Sequence, residues 1–433
     1  MISLLKSPKL GIAIAAVLAF SMWFYVQQVL IPYQERDAAV HNQPRGILSD
    51  LYPRWLGARE LLLHGRDPYS VEITHEIQQG YYGRVLDPGR PEDPKDEQRF
   101  AYPAYVVFLL APTVRVPFEI VRPGFTIFLV LLTAASVWFW LKALGWQVRL
   151  SGIVTAILLT LGSLPVAQGI KLQQLSLLVA GLLSACAAAV ASGYLTIGGI
   201  LLALTTIKPQ LAWLPAAWML LWVLRDWPSR QRFFWGFAAT MVALLVGAQW
   251  ILPGWIREFV DGIGAYHRYT QNVSVLGLLL TPVIGHLVSI LLVAATFCSS
   301  WRWLKQNATG LGFGVAFAAL VALDVLIAPM FAPYNQVLLL PAVLVLARVG
   351  GALWRENVIM RLLIVLTVIS VAWPWMAALG LMLAMFFEGG ERVQAAWRVP
   401  FYTTFIVPIL VFTVSAALAV RTGRSGHPQE RSS

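Results

Sequence analysis

The sequence predicts an all-α polytopic membrane protein, a bundle of about twelve transmembrane helices with one long polar loop. Three observations carry that prediction. Of 433 residues, 58% are hydrophobic and only 12% charged, about half the charged share of a soluble domain. Apolar runs close to the ~20 residues that cross a bilayer recur along the chain, and Lys and Arg collect in the short breaks between them. The mean hydropathy of +0.69 agrees. These features exclude a water-soluble enzyme, a disordered chain and a fibrous repeat, because a run this apolar must satisfy its own backbone inside lipid.

The first run, residues 10–31, follows Lys6 and Lys9 as in a signal peptide, but it is long and lacks a small-residue cleavage site. It is expected to remain as the first helix. Residues 32–122 then form the one long polar stretch and hold 13 of the 21 acidic residues. This stretch is expected to be a first extracytoplasmic loop carrying short amphipathic helices. Eleven more runs lie near residues 124–144, 151–166, 175–191, 194–207, 211–224, 233–252, 276–298, 311–330, 337–347, 358–385 and 401–420. The Lys208-Pro209 interruption leaves one broken or re-entrant helix as the alternative over 194–224. Residues 1–420 read as a single transmembrane domain and 421–433 as a polar tail.

With the N-terminus inside, the inner segments hold 15 Lys and Arg residues against six in the short outer ones. Cytoplasmic loops retain such an excess, so both termini are expected in the cytoplasm and the long loop outside. The net charge of +11 belongs to this pattern, and no nucleic-acid partner is expected. Cys186 and Cys298 lie inside apolar runs and suggest neither a disulfide framework nor a metal site.

The segment D-L-Y-P-R-W-L-G-A-R-E-L-L-L-H-G-R-D-P-Y runs from Asp50 to Tyr69. Leu51, Trp55, Ala58, Leu62 and Leu63 recur there at helical spacing, and Gly65 with Pro68 closes the run. A short amphipathic helix at the membrane face is expected, with Asp50 at its N-cap. Capping alone is the plainer reading of Asp50. The sharper one is a general base, a carboxylate at the lipid-water boundary that takes a proton from a hydroxyl. F-A-Y-P-A-Y, residues 100–105, returns the chain to the membrane, and its rings form either an interface belt or, with Tyr69, a sugar-binding surface through Tyr102 and Tyr105.

The other unusual polar residues fall on the same predicted outer side. They are Gln168, Lys171, Gln173 and Gln174, then Lys208 and Gln210, then His267, Arg268, Asn272 and Ser274, then Tyr334 and Asn335, and finally Arg398. Polar groups at membrane depth are costly unless they line a protein interior or a wet cavity, so their gathering on one side points to a site there. Asp324 stands apart inside the 311–330 run. It is either a proton or ion site or a structural group paired with Lys171, Lys208 or bundle hydrogen bonds. No phosphate-binding glycine loop, metal-binding His-Glu helix or serine elbow occurs in a fitting context.

Six pieces taken in order carry a family resemblance: D-L-Y-P-R-W with G-R-D-P-Y, F-A-Y-P-A-Y, Q-L-S-L-L from Gln174, T-I-K-P-Q from Thr206, N-V-S-V-L-G from Asn272, and A-P-Y-N-Q-V-L-L-L-P from Ala332. Together they resemble glycosyltransferase family 87, the polyprenyl-phosphate-mannose-dependent mannosyltransferase-like membrane proteins of the GT-C superfamily. The resemblance implies a catalytic domain that moves a hexose, mannose above all, from a polyprenyl-phosphate donor to an extracytoplasmic lipid or glycan hydroxyl, in a bacterial plasma membrane. It carries the catalytic aspartate onto Asp50. The chain departs from the pattern twice, with Ser176 where the family has Asn, and with Tyr334 and Asn335 where a His is usual.

On this reading Lys208, Arg268 and Arg398 stabilise the donor phosphate, with Tyr334 and Asn335 as neutral helpers. Tyr52, Arg54, Trp55, Tyr69, Tyr102, Gln174, Gln210, Asn272 and Ser274 are candidate substrate contacts. No cofactor is expected, and with a single carboxylate assigned to the site, no metal. A transporter or flippase built on Asp324, or a noncatalytic scaffold, are the alternatives.

Overall fold

Lipid offers the backbone no hydrogen-bonding partner, so an apolar stretch coils on itself. The computed structural model describes residues 8–270, 273–329 and 331–424. Among the described residues every regular element is a helix and none is a strand. Seven helices there are long and apolar enough to cross a membrane: Pro8–Val40, Phe118–Ala143, Trp227–Ile251, Pro282–Lys305, Pro333–Gly351, Val358–Ala384 and Gly390–Thr422. An eighth results if Leu150–Leu161 and Leu164–Lys171, bent by 57° at their junction, count as one.

By length and composition, seven or eight of the expected twelve spans are thus confirmed among the described residues. The four remaining apolar runs, Leu175–Ala191, Leu195–Thr205, Trp213–Arg225 and Leu311–Ile327, form helices of 10–17 residues. At ~1.5 Å per residue the shortest covers about half of the ~30 Å hydrocarbon layer. Leu311–Ile327 is apolar all round and buried along nearly its whole length, as a helix without a polar face must be. It packs against Trp213–Arg225, Leu340–Trp354 and Ile406–Arg424.

Leu195–Thr205 and Trp213–Arg225 are the two arms of a hairpin. Near the start of the first arm, Gly198 and Gly199 lie against Phe233. Near the end of the second, Trp222 lies against both Phe233 and Arg230. Between the arms, Thr206 reaches Met241, two turns further along Trp227–Ile251. The first arm thus begins, and the second ends, beside the same stretch of that helix. The sequence break at Lys208-Pro209 is the tip, and the sides of all later connections are the same whether or not the tip crosses. A Cβ at Gly199 would sit 2.1 Å from the Phe233 carbonyl oxygen, and one at Gly236 2.4 Å from that of Thr196. Backbone meets backbone there, as small residues permit. At the base, buried Arg230 donates to the carbonyls of Trp222 and Leu304, both at 2.7 Å, and of Gln306 at 3.1 Å, satisfying open helix ends.

In the polar loop the helix Leu51–His64 forms where expected and ends at Gly65, whose φ of 67° closes it in the left-handed conformation. Its buried face is Leu51, Trp55, Ala58 and Leu61; Leu62 is half-buried and Leu63 exposed. Trp55 donates its indole N–H to the Thr113 carbonyl at 3.2 Å, fastening the helix to the returning chain. Ser70 caps the next helix, Val71–Tyr82, by accepting from Ile73 N–H. Residues 83–100 have no regular structure but are tied back by Gln78 Nε2 to the Glu97 carbonyl at 3.1 Å and by Arg84 to Asp93.

Candidate active site

Asp50 occupies the N-cap position of Leu51–His64, yet its backbone is helical, φ −71° and ψ −8°, and its side chain makes no capping bond. Capping needs an extended backbone, so the plainer reading of Asp50 does not hold. Its carboxylate Oδ2 instead accepts from Nε2 of Gln174, and its own N–H donates to the Leu172 carbonyl at 2.8 Å. Three residues around this contact, Leu48, Gln98 and Gln173, hold φ values of 50°, 53° and 48°. The left-handed region costs a non-glycine residue ~1–2 kcal/mol, a strain that persists where surrounding contacts impose it.

Gln174 faces Lys208 with its other end: Nζ donates to Oε1 at 2.9 Å. Lys208 also donates to Ser176 Oγ at 2.8 Å, and Ser176 donates to Asn335 Oδ1 at 2.7 Å. Ser176 and Asn335, both singled out in the sequence reading, therefore touch. The Lys208 ammonium lies 5.7 Å from the ring centre of Tyr102 and 5.4 Å from that of Tyr334. Arg54, one helical turn after Asp50, lies 4.6 Å from the same Tyr102 ring. One aromatic ring thus serves two cations. Tyr69 donates its O–H to the Tyr102 carbonyl, and Tyr105 donates to the Thr206 carbonyl at 2.9 Å, locking the loop to the hairpin tip. Four separate connections of the chain converge.

Burial pushes the half-buried Asp50 carboxyl above the usual carboxylate range; the Arg54 guanidinium opposes this, the Asp96 carboxylate adds to it, and Lys208 and the Gln174 amide oppose it. Burial would lower Arg54, but Tyr102, Asp50, Tyr266 and Asp96 outweigh it, so the guanidinium stays charged. Burial raises the Tyr102 phenol to about 12, keeping it protonated. Arg54 Nε is shielded from solvent and has no hydrogen-bond partner among the described residues.

Among the sequence candidates, Asp50, Arg54, Tyr102, Gln174, Lys208, Tyr334 and Asn335 come together. Tyr69 braces this group from behind. Tyr52 and Trp55 pack with Phe118 inside the loop, 4.9 and 5.2 Å between ring centres. Ser274 caps a short helix by accepting from Gly277 N–H at 3.1 Å. Gln210 is exposed. Arg398 is exposed over the ring of Trp397, and no described contact joins it to Lys208. Asn272 and the Arg268 side chain lie outside the described residues. Asp324 pairs with neither expected lysine: Lys171 donates to Gln34, and Lys208 is engaged as above. Asp324 is fully buried, and the backbone N–H of Leu214 at the start of Trp213–Arg225 faces its carboxyl group.

The residue missed by sequence reading is Asp96. Its carboxylate accepts from Gln98 N–H at 3.0 Å and Gln98 Nε2 at 2.9 Å, and it acts electrostatically on Asp50 and Arg54. It lies in a Pro-rich, aperiodic stretch that gives no local signal. Among the described residues, no three His, Cys, Asp or Glu side chains gather as a metal site.

An all-helical membrane protein with a carboxylate, two cations and aromatic walls in one polar centre has the makings of a group-transfer enzyme at a membrane. The sequence model of glycosyltransferase family 87 matches residues 100–333, just over half of the chain. The chain belongs to that family and is a membrane glycosyltransferase, acting on a sugar donor and an acceptor in a lipid environment. The matched stretch contains Tyr102, Gln174 and Lys208; Asp50 and Arg54 precede it, and Tyr334 and Asn335 follow it. Neither curated proteins nor solved structures give a match.

Proposed function

We propose that the protein transfers one hexose, mannose by family resemblance, from a polyprenyl phosphate to a hydroxyl of an extracytoplasmic lipid or glycan, with Asp50 as general base. The observation that carries this reading is the Asp50–Gln174–Lys208 chain of hydrogen bonds, which sets a carboxylate without a capping duty beside a cation. In a single inverting displacement the acceptor oxygen attacks the anomeric carbon as its proton passes to Asp50. The bond from that carbon to the phosphate oxygen breaks, and Lys208 and Arg54 stabilise the charge left on the polyprenyl phosphate. Arg54 takes the place that the sequence offers to Arg398.

An apolar cavity of about 810 Å³ supports a lipid-linked donor. Leu159, Leu164, Val337, Leu340 and Val407 are among its lining, and it reaches Gln336, the neighbour of Asn335 in the polar network. On this reading the prenyl chain enters the cavity and the phosphate stays at the network. The four short apolar helices complete a twelve-helix GT-C bundle over residues 1–420, with both termini and the 421–433 tail cytoplasmic in a bacterial plasma membrane and the site outside.

The test incubates membranes carrying the protein with radiolabelled polyprenyl-phosphate sugars and extracted lipids. Labelled product that disappears in Asp50→Asn is expected. Product formed equally well by that variant would remove the base assignment, and solute movement in liposomes without product would favour a transporter.

A further inference from the structure

Asp50 and Lys208 carry opposite charges in one crevice, and Gln174 lies between them. Its Nε2 donates to the carboxylate and its Oε1 accepts from the ammonium at 2.9 Å. In the polar loop, by contrast, opposite charges close on each other directly, as in Arg84 with Asp93 and Arg66 with Glu76. The amide's orientation follows from its partners, because an ammonium has only donors and an ionised carboxylate only acceptors. Gln174 is 3% exposed, and its N–H donates to the Gly169 carbonyl at 2.8 Å. It stands on a fixed backbone.

We propose that Gln174 is a positioning residue that holds the base and the phosphate-binding cation apart. The proposal rests on the reading of Asp50 and Lys208 given above. In the displacement, the proton reaches Asp50 on one side of the anomeric carbon while the phosphate departs on the other, so each group must be free on its own side. A direct ion pair would occupy the carboxylate lone pair and the ammonium charge together. The amide fills the gap and takes no part in proton transfer at neutral pH.

The groups facing Asp50 are Arg54 on its own helix, Asp96 and Tyr102 elsewhere in the loop, and Lys208 at the hairpin tip. Tyr81 and Tyr82 face it from the loop, Tyr266 from the helix Trp255–Thr270, and Lys171 and Tyr334 from the bundle. Of these, Lys208 is the cation that Gln174 itself holds.

Gln174→Leu and Gln174→Met remove both hydrogen bonds and keep the bulk. Lys208 is then expected to close on Asp50 and move the acid limb of the pH–rate profile to lower pH by about one to three units. The turnover rate falls, and KM for the donor changes less. The infrared carbonyl band that is missing in Asp50→Asn shifts its titration the same way, a readout independent of activity. Adding Lys208→Met to Gln174→Leu brings the limb back up. Loss of the amide without collapse moves the limb upward, and a pure packing role lowers the melting temperature with limb and band unmoved; either result overturns the proposal. Asp50→Asn runs in parallel. Wild-type transfer by that variant sinks the base reading, whereas an inactive Asp50→Asn with an unmoved band in both Gln174 variants sinks the spacer alone.

Discussion

Replacing Lys208 by Met keeps the length of the side chain and deletes its charge. In the folded protein two effects of opposite sign follow. Gln174 Oε1 loses its donor, while Ser176 keeps its bond to Asn335. One buried acceptor left unsatisfied costs ~1–3 kcal/mol. Against this, Lys208 is 6% exposed, and removing a buried ammonium relieves a desolvation penalty of the order of several kcal/mol. The melting temperature is therefore expected to change little. The rate behaves differently. An ammonium placed in advance at a developing negative charge is worth ~2.7–4 kcal/mol, so its loss lowers kcat by about 10²–10³. Arg at position 208 is not expected to restore the rate, since a planar fork does not reproduce a point charge held by Gln174 and Ser176. The assay is single-turnover transfer of labelled sugar from polyprenyl phosphate in lipid nanodiscs, with thermal unfolding measured on the same preparation. A Lys208→Met rate within about threefold of wild type, well under the change expected for such a group, would refute the assignment of Lys208 to the phosphate. So would a loss of activity that follows the loss of folded protein.

Asp50→Asn is expected to lower the transfer rate by about 10²–10⁴ while the protein still folds, because Asn can accept the same Gln174 bond. Burial raises the Asp50 carboxyl in the folded state, so the folded protein holds this proton more tightly than the unfolded chain. Wild-type stability then falls as pH rises from the ordinary carboxylate value through the folded one, and the melting temperature of Asp50→Asn relative to wild type should rise over that window; a constant difference would contradict the shift. Gly199→Val drives a branched side chain into the Phe233 carbonyl and is expected to cost ~1–3 kcal/mol or more and to lower transfer by displacing the Lys208 tip. An unchanged melting temperature would argue against the close hairpin. Arg398→Gln is expected to leave transfer within about twofold of wild type, the range of an exposed substitution, and a tenfold loss would return Arg398 to the donor phosphate.

The helical fold is legible in the sequence because in lipid an apolar run has one way to satisfy its backbone. Run length alone does not tell whether a helix crosses or turns back. Residues 194–207 and 211–224 read as two spans, and they form two arms of 10–17 residues that meet at a turn over Lys208-Pro209, shorter than a full-length span. Helix partners are hidden for a related reason. Lipid is as apolar as Leu, so an apolar stripe names no neighbour, and the contact between Gly199 and Phe233 depends on small residues that the sequence displays without pairing. In the loop, where water is the solvent, periodicity does place Leu51–His64, and the buried face errs by one position at Leu61.

The site divides along the same physical line. Gln174, Lys208 and Asn335 are buried and polar, so each is obliged to find a partner, and they find one another. That obligation is what makes their meeting readable from a list of polar residues at span ends. Arg398 and Gln210 remain in contact with solvent, and no such obligation draws them in. Asp50 is readable as an acidic residue at the boundary, but its freedom from capping rests on a backbone dihedral that its neighbours do not encode. Ser176 and Asn335 carry the argument one step further. In contact, the Ser176 hydroxyl donates to the Asn335 amide oxygen and accepts from the lysine. The hydroxyl thus couples the Lys208 ammonium to the Asn335 amide and anchors the cation.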